Sequence, residues 1–339
     1  MMSVKTSSTP SAMSGTGSAF ACVVTTDPPV PDPAALDQAC ISIDASMSDL
    51  LREDLSRLLQ RPVRIPAAAA GSGQPVIHIG PNVPDDLMGR LLWFHSTNAG
   101  VDAVLRGRCW PEDVLFTRTV GRMGRRIAEY VLAWMLEERQ RVSVYHAQQG
   151  ARSWQRQQVD MIDGELVVVF GAGRIGRAVA ALLRGVGLRV IGVATTTSRV
   201  PEFNDVVDTA GALRYVPCAQ WLVSTLPLTD GTRDYFSADL FGAARGACFI
   251  NVGRGGTVHY DALREALEDG RLRRAVLDVL PDEPPARDNP WWDLPRTVIT
   301  PHTAGVTAES DVAEDFGTCW DSLRRGEPPS LMVDPGRGY

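Results

Sequence analysis

Apolar positions along this chain come in short blocks rather than in one long repeat. Between residues 165 and 303 the runs "LVVVF", "LRVIGVA", "WLVSTLPLT", "ACFINVG", "RAVLDVL" and "TVITPH" follow one another, with helical stretches such as "YDALREALEDGRL" (260–272) between several of them. These runs are apolar at nearly every position, which marks strands buried on both faces of a parallel, doubly wound sheet. A second, weaker series precedes them: "AFACVV" (19–24), "PVIHIG" and "LLWFHST", the last leading into "NAGVDAVL", with a helical "DLLREDLSRLLQ" among them. This alternation predicts a smaller α/β layer structure. From Gly121 to about Gln149 a single long helical pattern places Ile127, Val131, Trp134 and Met135 near one face, as a helix crossing a domain junction would. "AESDVAEDFGTCWDSLRRGEPP" predicts a last helix near the C-terminus.

Composition narrows the function classes. A chain of 339 residues with 44% hydrophobic and 22% charged residues has room for two ordinary cores. Its net charge of −6 leaves no basic surplus for nucleic-acid phosphates. Lys5 is the sole lysine among 34 basic residues, so nearly all cationic chemistry falls to arginine. The cysteines, at 22, 40, 109, 218, 248 and 319, show no CxxC pair and no histidine at ligand spacing, so they read as free thiols in a reducing compartment and no metal site is expected. No apolar run approaches the length needed to span a bilayer. Residues 1–18 are rich in Ser, Thr and Gly without an apolar segment and read as a disordered tail, with a cytoplasmic location expected.

The first chemical motif is GxGxxG, formed by Gly171, Gly173 and Gly176 directly after "LVVVF" and opening an Ala/Leu-rich helix. In that setting the first glycine permits the turn and the second lets a pyrophosphate approach the backbone. The third lets helix and strand pack closely, and the phosphates lie at the helix N-terminus beside Arg174 and Ile175. Eighteen residues after Gly176, where an acid would bind a ribose, stands Ala194, followed by Thr195, Thr196, Thr197, Ser198 and Arg199. Hydroxyls and a guanidinium suit a 2′-phosphate, and no carboxylate repels it. NADP(H) is therefore favoured, with NAD(H) open as the alternative.

Later segments carry the remaining groups. "INVGRGGTVHYDAL" (250–263) ends a strand in Arg254, whose small neighbours let it reach into a cleft and grip an anion. "AVLDVLPDEPP" (275–285) holds Asp278 and Glu283, and "VITPHTAG" (298–305) holds His302 just after a strand. A carboxylate beside a histidine fixes its tautomer and favours its protonated form, which makes a general acid. None of the other four histidines has such companions in the sequence.

"GAGRIG", "LPLT" (226–229), "INVGRGG…AL", "DVLPDEPP" and "TPHTAG" stand in the order and approximate spacing of the D-isomer-specific 2-hydroxyacid dehydrogenases, which the chain resembles most specifically over about 120–305. Weaker echoes occur in "STNAGVD" (96–102) and "VDPGRGY" (333–339). Among the members it looks most like glyoxylate/hydroxypyruvate reductases, which prefer NADPH. The resemblance implies a Rossmann nucleotide-binding domain (121–305) inserted into a flavodoxin-like substrate domain made of 19–120 and 306–339. The long helix would then contribute to a homodimer contact. It further implies that His302 protonates the carbonyl oxygen of a small 2-oxo acid, that Glu283 holds the imidazole, and that Arg254 binds the carboxylate and carbonyl. Asp278, with backbone near Val252, would orient the nicotinamide carboxamide, and Leu226, Pro227 and Thr232 would line the cofactor. Backbone amides at Asn98, Ala99 and Gly100 would receive the carboxylate, and Trp292 would line the pocket.

Two other readings share this architecture. Formate dehydrogenases carry glutamine where Glu283 stands, so the carboxylate argues against formate, while phosphite oxidation remains compatible with Arg, Glu and His. A dinucleotide-sensing co-repressor on the same fold is the non-enzymatic alternative, disfavoured by short tails without a docking or DNA-binding sequence.

Overall fold

The computed structural model describes residues 29–336; the tail 1–18 and the strand expected at 19–24 lie outside the described residues. The first sheet contains β1 (Cys40–Ile43), β2 (Val63–Arg64), β3 (Val76–Gly80), β4 (Leu91–Ser96) and β5 (Leu115–Arg118). The second contains β6 (Leu166–Phe170), β7 (Arg189–Val193), β8 (Asp205–Val207), β9 (Trp221–Ser224), β10 (Ala247–Asn251), β11 (Leu272–Leu277) and β12 (Thr297–Ile299). Every pairing in both is parallel.

The strand order of the first sheet is β2-β1-β3-β4-β5, the flavodoxin-like order. That of the second is β12-β11-β10-β9-β6-β7-β8, the doubly wound dinucleotide-binding order with one added edge strand. Its connectivity reverses between β6 and β9, the place where such sheets open a crevice at their carboxyl ends.

Side-chain alternation explains why the second sheet needs cover on both faces. Val168, Phe170, Ile191, Leu222 and Phe249 enter one core with the helices Ala238–Ala243 and Tyr260–Glu268. Val167, Val169, Val190, Val223 and Ile250 enter the other, under the helices Met123–Arg139 and Arg174–Gly185. Strand neighbours point to opposite faces, so each run must be apolar throughout. In the first sheet Ile41, Ile77, Trp93 and Leu115 pack beneath the helix Asp49–Leu59 and the C-terminal helix Glu309–Arg324. The chain thus crosses to the second sheet at Val120–Arg122 and returns before Glu309. The crossings are tied together: Asp315 accepts from the Val120 and Gly121 amides, both at 2.7 Å, and Arg126 pairs with Asp311.

The long helix expected over 121–149 is two helices. Met123–Arg139 ends at Gln140, and Val142–Gly150 begins after Arg141, whose φ of 57° lies in the left-handed region. The break falls where helix-forming residues give way to "VSV", whose β-branched side chains favour helix less. Ile127, Val131 and Met135 are buried as the periodicity requires, whereas Val142–Gly150 buries none of its residues.

Candidate active site

One rim of the second sheet collects the candidate residues. Phe170, Ser224, Asn251, Leu277 and Ile299 end their strands in mutual register, each opposite the next. The segments that follow them carry the glycine loop, Leu226–Thr232, Arg254, Asp278 with Glu283, and His302.

The glycine loop divides its labour by position. Gly171 has φ +106°, and a Cβ there would lie 2.6 Å from Thr225 Oγ1. At Gly176 a Cβ would strike the Gly171 carbonyl oxygen at 1.8 Å, so strand and helix meet with no room for a side chain. Gly173 is different: no atom comes within 4 Å of where its Cβ would be, and it caps the helix Arg174–Gly185 without a side-chain hydrogen bond. The first amides of that helix, at Arg174 and Ile175, therefore have no capping side chain, and the space beside Gly173 is open, which fits a pyrophosphate. Thr195, Thr196, Thr197 and Arg199 are exposed beyond β7, and the nearest following acid, Glu202, pairs with Arg177 at 3.1 Å. Thr232 folds its own turn, donating to Pro227 O at 2.6 Å and accepting from the Thr229 amide at 2.8 Å. Val252 is buried, and Gly253 packs against the backbone of Leu226.

Arg254 is held from both sheets. Its Nε and Nη2 donate to Asp102 Oδ1 at 3.1 and 2.9 Å, and Nη1 donates to Gly253 O at 2.8 Å. Burial works to raise the Asp102 carboxyl, but Arg254, by charge and hydrogen bond, outweighs it and holds the group below the ordinary carboxylate value. The guanidinium also lies on Gly100, where a Cβ would sit 1.8 Å from Nη2. In the loop after β4 the Asn98 amide donates to Ser96 Oγ at 3.1 Å. Among the described residues the Ala99 and Gly100 amides have no acceptor, so these two, rather than Asn98, are free to receive an anion.

His302 and Glu283 form a pair, with Nδ1 2.7 Å from Oε2. The other Glu283 oxygen accepts from the Leu280 amide at 2.8 Å, which fixes the carboxylate. Gly255 packs on the Leu280–Pro281 backbone, so the turn bearing Arg254 rests on the turn bearing Glu283. His302 is half exposed, at 51% of its side-chain surface, and its Nε2 makes no hydrogen bond among the described residues.

Asp278 is buried and shapes the His302 turn. Its Oδ1 accepts from Thr300 Oγ1 at 2.6 Å and from the Thr303 amide at 2.8 Å, and its Oδ2 accepts from the Ala304 amide at 2.9 Å. The His302 amide donates to the Asp278 carbonyl at 2.9 Å, and the turn holds His302 at φ +50°, a conformation rare for a residue with a side chain. Behind it Tyr130 OH lies 2.6 Å from Thr300 Oγ1. Thr300 gives its one hydroxyl proton to Asp278, so Tyr130 is the donor of this bond, and burial pushes its phenol up to about 12. Trp292, 49% exposed, donates to Ala286 O at 3.0 Å rather than to any of these groups, while its neighbour Trp291 is buried.

The family model of the D-isomer specific 2-hydroxyacid dehydrogenases, NAD-binding domain, matches residues 132–304, which contain this rim. The chain belongs to that family. As a D-2-hydroxyacid dehydrogenase it is an oxidoreductase with a nicotinamide-dinucleotide-binding domain. It is 46% identical over 269 residues to a Streptomyces coelicolor protein described as an uncharacterized protein in the mprR 3′ region, covering 78% of this chain and 96% of that one. It is 32% identical over 262 residues to glyoxylate/hydroxypyruvate reductase A of Serratia proteamaculans, covering 74% and 82%. A solved structure of the NADPH-dependent glyoxylate/hydroxypyruvate reductase of Sinorhizobium meliloti, in complex with NADP and sulfate, superposes with a TM-score of 0.74 at 27% identity over 89% of this chain and 100% of that one.

Sequence reasoning missed Asp102, Arg118, Tyr130 and Thr300 in this dehydrogenase. Asp102 lies in the motif "AGVD", yet its partner Arg254 is 152 residues away, and nothing local announces the pair. No group of His, Cys, Asp and Glu among the described residues is arranged to hold a metal, and no described helix is long and apolar enough to cross a membrane.

Proposed function

We propose that the protein reduces a small 2-oxo acid of the glyoxylate or hydroxypyruvate kind to the D-2-hydroxy acid, with NADPH as donor. The observation that carries this reading is the His302–Glu283 pair on the rim that also bears Arg254, with Gly100 of the loop after β4 against that arginine and the Ala99 and Gly100 amides without an acceptor among the described residues. Bound NADPH supplies the hydride. Arg254 and the loop amides hold the substrate carboxylate, and His302, oriented through Nδ1 by Glu283, delivers a proton from Nε2 to the carbonyl oxygen. The names of the Serratia and Sinorhizobium relatives support both substrate class and cofactor. The exposed Thr195–Arg199 stretch, without a free carboxylate, supports NADP(H) over NAD(H) as the dinucleotide.

The same reading divides the chain into a nucleotide domain at 121–305 and a substrate domain from 19–120 and 306–339, and places the enzyme in the cytoplasm. It also makes the protein a homodimer. The segment 142–161 supports this, because Val144, Tyr145, Trp154 and Met161 are exposed there, Trp154 completely. Sedimentation of the purified protein tests the dimer.

The activity is tested by following NADPH oxidation with a panel of 2-oxo acids, each repeated with NADH. His302→Ala is expected to lower kcat by about 10²–10⁴ while NADPH still binds. Turnover that survives this substitution unchanged overturns the mechanism.

A further inference from the structure

Arg118 ends β5 and forms no ion pair among the described residues, although it is only partly exposed. Its surroundings are cationic: burial first, then the charges of Arg174 and Arg254, lower its pKa. Among the described residues the one hydrogen bond its side chain makes is to backbone, with Nη1 donating to Ala99 O at 2.9 Å, while its own amide donates to Leu331 O at 3.1 Å. A trans peptide holds its carbonyl and the following N–H on opposite sides. Fixing Ala99 O toward Arg118 therefore turns the Gly100 N–H away from it. That amide has no acceptor among the described residues, and the Arg254 guanidinium lies against the same glycine. A cation on the carbonyl also polarises the peptide and strengthens its N–H as a donor.

We propose that Arg118 is a positioning residue for substrate recognition: by gripping the Ala99 carbonyl it aims the Gly100 N–H at the substrate carboxylate beside Arg254. It acts through the Ala99–Gly100 peptide and touches neither the substrate nor the cofactor. The assignment rests on the 2-oxo acid reading and adds to it the group that sets carboxylate affinity. Arg174, at the mouth of the glycine loop, serves the cofactor side instead.

The test compares Arg118→Met and Arg118→Lys with wild type in KM and kcat for glyoxylate, in NADPH affinity by fluorescence, and in oxalate binding to the NADPH complex by calorimetry. The Met variant is expected to raise KM and to weaken oxalate about tenfold, and the Lys variant about threefold, with kcat and NADPH affinity held within about twofold. Unchanged KM and oxalate affinity overturn the proposal. So does an equal loss of NADPH affinity, which would assign Arg118 to the pyrophosphate, or a fall in kcat alone. Should the Met variant not fold, the Lys variant decides by the same criteria. If wild type reduces none of the 2-oxo acids, the proposed activity falls, and oxalate binding still decides the role of Arg118.

Discussion

Asp102 and Arg254 meet across the two sheets, the carboxylate from the helix Asp102–Leu105 and the guanidinium from the turn after β10, with both Nε and Nη2 on one oxygen. The arginine that would grip the substrate is thus already aimed by an acid from the other sheet. Asp102→Asn keeps a hydrogen-bond acceptor but removes the charge that favours this geometry. KM for the 2-oxo acid is expected to rise about tenfold, with NADPH affinity unchanged, because the cofactor amides lie on another element. Steady-state kinetics together with NADPH titration check this, and an unaltered KM would show that Arg254 is aimed without its partner.

Asp278→Asn puts an NH2 group where a buried carboxylate accepts from two amides and a hydroxyl. One donor is then left facing a donor, at a cost of about 1–3 kcal/mol. His302, held at φ +50° by that turn, loses its setting, so kcat falls along with stability. Tyr130→Phe removes only the outermost hydroxyl of the same network and should cost about 1 kcal/mol. Urea unfolding and kcat, measured side by side on the two variants, test this ranking.

The proposed preference for NADP(H) would rest on Arg199 and the hydroxyls beside it. Arg199→Ala is expected to weaken NADPH by about 1.5–3 kcal/mol, roughly ten- to a hundredfold, and to leave NADH within about twofold. The ratio of kcat/KM for the two cofactors reads this directly. A uniform loss with both would place Arg199 away from the 2′-phosphate.

Stability should fall in mild acid because of two histidines in the first sheet. Burial lowers His78 to about 4 and His95 to about 3, and His95 is held by the hydroxyls of Thr117 and Thr119 at 2.7 and 3.0 Å. Both are neutral in the folded protein where the unfolded chain already takes up protons, so their contribution is complete above pH 6.5 and is lost as pH falls toward 3. The slope is about 1.4 kcal/mol per pH unit for each, or about 4 kcal/mol for the two together at pH 5. Urea unfolding of the free protein at pH 7.5 and 5.0 measures the difference, and His95→Asn should remove about half of it.

The second sheet was legible because its strands are apolar on both faces, giving short, Val-rich runs such as "LVVVF" that end at glycine turns. Less of the first sheet was. "CISI" (40–43), "LFTR" (115–118) and the two-residue strand Val63–Arg64 are too short to show a period, and β5 carries Thr117 and Arg118 inside its span. "DVV" at β8 is an edge strand of three residues and was missed for the same reason. In the site, motifs named the residues that speak through local spacing: the three glycines, Arg254, Glu283 and His302. They did not reveal what those residues lean on. The resemblance implies that Asp278 orients the nicotinamide carboxamide; its carboxylate also accepts hydrogen bonds from Thr300, Thr303 and Ala304, which no local motif announces. Such partners come from elements far apart in sequence, and only folding puts them side by side.

The contact of Gly100 with Arg254 also bears on how this enzyme can change. A single methyl group at residue 100 would overlap a guanidinium nitrogen, so the position cannot drift by small steps while the arginine stays where it is. A side chain gained at residue 100 must therefore be matched by a movement of Arg254, and with it of the Asp102 contact, so these three positions are expected to change together.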